Sequence, residues 1–225
     1  MRARAVVVPR GTTPDGPGVH RWLAVLGVVY VLGHHTGTAL GPLGGIGPTR
    51  WADWVDLLLP YLLVGSAAMV LRAAGATQRA WLVLGAGGLL YTQGHGIHLA
   101  ANSVGNELGH AEVITLWDEH VGHYLWYAGL AVLVLALVLA LPRVEVTVAG
   151  WVLAALAALT LTTNAIEGQS VPLSAALALG FVLRGRPPLV RVVYTAHAVL
   201  LVAWVGYWAL AEGRWSPEFT ELGWV

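Results

Sequence analysis

The chain is predicted to be an all-α, polytopic bundle of seven transmembrane helices, and three observations lead there. Only 11% of its 225 residues are charged while 57% are hydrophobic, with a mean hydropathy of +0.68; a soluble globule rarely carries such a balance. Hydrophobic runs of helical length recur at about 21–40, 51–72, 79–104, 118–141, 146–167, 170–184 and 188–211. Each is close to the ~20 residues that cross a hydrocarbon core, the sixth being shortest and crowded by Pro172 and Pro187. Finally, ten of the twelve arginines fall on one side of that layout: Arg2, Arg4, Arg10, Arg21, Arg72, Arg79, Arg143, Arg184, Arg186 and Arg191, against Arg50 and Arg214. The positive-inside rule then puts the amino terminus in the cytoplasm and the carboxyl terminus outside.

Residues 1–20 are basic but have only a four-residue apolar stretch, too short for a signal-peptide core, and read as a cytoplasmic tail. Residues 21–211 form the membrane domain and 212–225 an extracytoplasmic tail. Trp22, Trp81 and Trp151 mark the inner interface, and Trp51, Trp54, Trp117 and Trp208 the outer one. The glycine-rich 41–47 reads as an outer loop; GAGG at 85–88 lies within a span, where small residues let helices approach closely.

The polar residues within these runs gather toward the outer end. Nine histidines occur with no lysine and no cysteine, and ionisable groups at membrane depth are rarely kept without a function. The first span contributes His34 and His35, adjacent positions that cannot both face the bundle. On the third, Tyr91, His95, His98 and Asn102 stand at i, i+4, i+7 and i+11, a single helical stripe. The fourth opens with Asp118, Glu119, His120 and His123, a second HxxH with carboxylates added. Asp118 suits a helix N-cap and Glu119 the positive end of the helix dipole. Thr160, Asn164 and Glu167 share one face of the fifth. Counted at ~1.5 Å per residue, His34, His35, His95, His98, Glu119, His120, His123 and Glu167 share the outer leaflet. They are the expected metal ligands. His197, nearer the midplane, and Asn102 are the expected catalytic assistants. Glu107, His110 and Glu112 read as solvated, or as a lid or metal-recruiting rim, and Asp53 and Asp56 at the mouth of the second span are likewise ambiguous.

Imidazole with carboxylate suits a transition metal, zinc or iron foremost, and the absence of thiolate disfavours iron–sulfur and blue-copper centres. The expected function is a cell-membrane metalloenzyme whose site faces outward and acts on a lipidic or membrane-dissolved substrate, by hydrolysis or, next, by di-iron oxidation. The alternatives are a haem-binding cytochrome and a metal-ion or proton carrier or sensor. Without lysine there is no retinal Schiff base, nothing points to nucleic acid, and the oligomeric state is left open.

The paired HxxH spacing is similar to part of the histidine boxes of membrane desaturases, without their three-residue spacings or HxxHH. The seven-span layout with buried histidine and acid also resembles the CREST group of membrane hydrolases, which includes alkaline ceramidases and progestin/adiponectin-type receptors, but lacks their HxxxH and paired Ser and Asp motifs. The likeness is one of layout, and it carries no residue assignments.

Overall fold

The computed structural model describes residues 17–40, 43–109, 111–141, 146–184, 188–219 and 221–223. Residues 1–16, His110, Arg143, Arg186 and Pro187 lie outside that set. The described chain is almost wholly helical: α1 (Pro17–Gly33), α2 (Thr36–Leu40), α3 (Trp51–Asp56), α4 (Leu59–Ala73), α5 (Gln78–Leu108), α6 (Glu112–Thr115), α7 (His123–Ala140), α8 (Val148–Glu167), α9 (Val171–Arg184) and α10 (Pro188–Glu212). The segment Leu116–Gly122, between α6 and α7, is π-helical.

Among the described residues, four helical stretches are long and apolar enough to cross a membrane: Trp51–Ala73, Glu112–Ala140, Val148–Glu167 and Pro188–Glu212. Helices α1 and α9 are apolar but shorter. At 31 residues α5 is the longest helix, and its glycines, histidines and amides lower its mean hydropathy. Outward faces carry Leu82, Leu89, Leu179, Leu183, Val202 and Leu210, all well exposed, as a lipid-facing surface requires and a water-facing one seldom tolerates.

Local signals account for the element ends. Thr77 and Thr147 cap α5 and α8, their hydroxyls accepting from Ala80 N and Gly150 N, which satisfies donors a helix start leaves bare. Before α3, the expected outer loop contains a small hairpin, β1 (Gly45–Ile46) against β2 (Thr49–Arg50), turned by Gly47 at φ +59°. Asp53 then accepts from the Arg50 backbone at 2.9 Å and from its guanidinium at 2.7 Å and 3.1 Å, fastening the hairpin to the helix.

The pair that positions the site is α5 against the π segment and α7, the most extensive helix contact in the fold. Glycines meet backbone at each level. A Cβ on Gly87 would lie 2.7 Å from Leu133 N, one on Gly94 2.2 Å from Trp126 N, one on Gly122 2.9 Å from His98 N, and one on Gly129 2.2 Å from Tyr91 N. With no side chain between them the two backbones touch, and the histidines flanking these glycines are forced together.

Candidate metal centre

Trp126, buried in α7, is the hub around which the imidazoles gather. His34 stacks on it at 5.2 Å between ring centroids and His123 at 5.4 Å, His98 tilts against it at 5.5 Å, and His95 meets it edge-on at 4.7 Å. The third and fourth predicted spans therefore turn His95, His98 and His123 inward, toward one another.

His98, Asp118 and His123 form the tightest group, each offering one ligand atom with all three atoms within 4.8 Å of one another. Asp118 and His123 are buried and His98 is partly so. In a tetrahedral zinc site, ligands at about 2.0–2.2 Å from the ion stand about 3.3–3.6 Å apart, so closing the set draws the ligand atoms together by at most about 1.5 Å. Asp118 Oδ1 accepts from His98 Nδ1 at 2.6 Å, which fixes the tautomer; an ion held by both residues would take the place of that proton. His123 Nδ1 and Glu119 Oε2 approach to 3.2 Å, yet both atoms are buried without a hydrogen bond. Buried polar atoms are seldom left so, and an ion beside His123 would satisfy its nitrogen. The donor set and its orphaned nitrogen fit a divalent metal.

The π segment makes this convergence possible. A π turn closes on the fifth residue instead of the fourth, which brings Asp118 onto the side of His123. On a regular α-helix at 100° per residue the two would point about 140° apart. Asp118 accordingly serves the cluster and not the N-cap role its position suggests, and the helix that holds it begins earlier, at Glu112.

The other predicted site residues divide. His95 Nε2 donates to Asp56 O at 3.2 Å and lies 3.2 Å from its carboxylate Oδ1; its ring stands 6.3 Å from that of His98. His34 spends both nitrogens: Nδ1 donates to Tyr30 O at 2.7 Å, and Nε2 accepts from Tyr91 OH at 3.0 Å. His35 points the other way and donates from Nε2 to Thr160 Oγ1 at 3.2 Å. His120 is exposed. Glu167 Oε2 accepts from the backbone N of Phe219 at 2.8 Å, tying the carboxyl-terminal segment to the end of α8. Asn102 lies one turn beyond His98, its Oδ1 accepting from Asn106. His197 is buried with Nδ1 2.9 Å from Thr162 Oγ1, whose own proton goes to Ala158 O, so the imidazole is the donor.

Sequence reasoning left Asp56 ambiguous, and its carboxylate faces His95; it missed Gly168 in the turn after α8. A Cβ on Gly168 would sit 2.5 Å from His123 Cδ2 and 2.8 Å from its Nε2. Gly168→Ala is therefore expected to push the His123 ring out of place and weaken metal binding about tenfold or more, as read by competition with a metal chelator; unchanged affinity would show that the ring has room to give. No protein-family model, curated protein or solved structure matches this chain.

Proposed function

We propose that the protein is a multi-pass membrane metalloenzyme that hydrolyses a lipidic, membrane-dissolved substrate at an outer-leaflet site built on His98, Asp118 and His123. The observation that carries this reading is the convergence of two imidazoles and a carboxylate inside an apolar bundle. Three protein ligands with a further position open is the pattern of catalytic zinc, whereas structural sites close with four.

When bound, the ion supplies an acidified water and polarises a carbonyl. The chain's own residues supply the rest. Glu119 Oε2, at the edge of the cluster, is positioned to take a proton. Asn102 keeps both amide N–H groups available for a substrate oxygen, since its Oδ1 is the atom engaged by Asn106. Trp126 occupies the space among His34, His95, His98 and His123, where a haem held between two of them would have to lie; the cytochrome reading is the weaker for it.

The topology we propose is seven spans with the amino terminus cytoplasmic. Helix α1 continues through His34 and His35 into α2 by the bonds His34 N to Tyr30 O and Ala39 N to His35 O, which lengthens the first span. Fourteen residues make α9 about 21 Å long, so it crosses only where the bilayer thins around it. An alkaline phosphatase fusion after Gly109 should be active and one after Gly75 inactive; the reverse would turn the site to the cytoplasm. Elemental analysis of the purified protein tests the chemistry. Zinc near one per chain is the expected result, iron would redirect the reading to oxidation, and absence of both would end it.

A further inference from the structure

A cavity of about 220 Å³ lies below the histidine layer, between α1, α4 and α7 on one side and α8 and α10 on the other. Its wall on α8 runs from Thr147 to Leu161, about 21 Å at 1.5 Å per residue. That exceeds the ~15 Å of hydrocarbon in one leaflet, half of the ~30 Å core. Leucine, valine, alanine and glycine line almost all of it; the polar side chains are His20 and Thr147 near the lower end and Tyr30 and Tyr194 higher up. Water in a cavity needs two to four polar partners, and the middle of this one has none to give. An engineered apolar cavity of about 150 Å³ takes up benzene, so about 220 Å³ takes a segment of roughly nine carbons, and the remainder of a longer chain extends through the open end.

The upper end stops at Tyr30, with the His34 and Trp126 rings between it and the metal group. The Tyr30 ring lies 4.5 Å from that of His34, His34 stacks on Trp126, and Trp126 touches both His98 and His123. At the lower end Thr147 and Ala149 are exposed, so the cavity is open there.

We infer that this cavity holds one long hydrocarbon chain, its upper end against Tyr30 beneath the His34–Trp126 layer and the rest running toward His20 and Thr147. Calling the molecule that carries it a substrate rests on the metalloenzyme reading; chain binding itself does not. A straight acyl chain and an isoprenoid chain share the required chemistry, length without charge.

The test is fluorescence titration of the purified full-length protein with parinaric acid, a straight-chain fatty acid that brightens when shielded from water. Saturable binding is expected, displaced by oleic acid if the pocket takes acyl chains and by geranylgeraniol if it takes isoprenoids. Ala24→Phe on α1 and Ala157→Phe on α8 each put a ring into the cavity and should weaken binding about tenfold or more, with metal content kept. Normal binding in both variants, or displacement by neither competitor, overturns the inference. Should either variant fold poorly, a diazirine fatty acid on the wild-type protein decides. Crosslinks at Leu153 or Leu133 support the cavity; crosslinks confined to lipid-facing Leu179 or Leu210 refute it. A wild-type protein that binds the chain but no metal would refute the proposed function and leave the cavity standing.

Discussion

His123→Ala and His98→Ala are each expected to strip the protein of its metal, lowering affinity by more than the roughly 10–100-fold that loss of an outer partner causes. Hydrolytic activity should fall with it. Each imidazole is one of only three ligand side chains in the group; His95, 6.3 Å ring to ring from His98, has a buried Nδ1 without a hydrogen bond but is held by Asp56 through Nε2. His34 has both nitrogens engaged and His35 faces Thr160. Asp118→Asn is the informative companion. The amide can still accept from His98 Nδ1 but brings no charge, so a metal loss as deep as that of His98→Ala makes Asp118 a ligand. A milder loss within the 10–100-fold range makes it the residue that orients His98. His120→Ala, at an exposed position, should keep full occupancy. So should His197→Ala, whose partner is Thr162; a lowered turnover there would still allow contact with the substrate. Inductively coupled plasma mass spectrometry on detergent-purified variants, with circular dichroism to verify folding, reads all five. Full metal content in both His123→Ala and His98→Ala would sink the centre.

How much of this was legible in the sequence follows from which geometry each step assumed. Alternation of hydrophobic runs with arginine-bearing connections marks helices whatever their packing, and all seven stretches are helical, although among the described residues only four stretches meet the length and hydropathy of a span unaided. The stripe Tyr91, His95, His98 was readable because α5 is a regular helix, in which 100° per residue holds from end to end. The same arithmetic failed at Asp118. It assumed an α-helix where the chain makes a π turn, and LWDEHVG carries no feature that announces one. Depth counting grouped Glu167 with the histidines, but depth says nothing of azimuth. Glu167 bonds the carboxyl-terminal segment, and its neighbour Gly168 is the residue that touches His123. Asp56 was ambiguous because the helix expected over 51–72 breaks at Leu57 and Leu58, and that break places the Asp56 carbonyl and carboxylate beside His95. Trp126 read as one more apolar position on its helix; its role as the common floor of four imidazoles exists only once α5 and α7 are joined.

That joining is itself open to test, through the glycines. Gly94→Ala is expected to destabilise the protein by at least the 1–3 kcal/mol typical of overpacking, and to lower metal affinity with it. The added methyl carbon would lie 2.2 Å from Trp126 N, 2.7 Å from Leu125 C and 2.8 Å from Gly122 O. All three are backbone atoms, so no rotamer change relieves the clash and the helices must separate. Separation at that level moves His95 and His98 on α5 away from His123 and Trp126 on α7. Gly96→Ala is the matched comparison on the same helix, two residues on. Nothing lies within 4 Å of its added carbon, and alanine is favoured over glycine inside a helix by about 1 kcal/mol. Thermal melts in detergent should therefore move in opposite directions, Gly94→Ala downward and Gly96→Ala level or upward, with metal lost only in the first. A Gly94→Ala protein that melts with the wild type and keeps its metal would mean that α5 and α7 do not touch at Gly94, and the convergence of His98 with His123 would lose its mechanical basis.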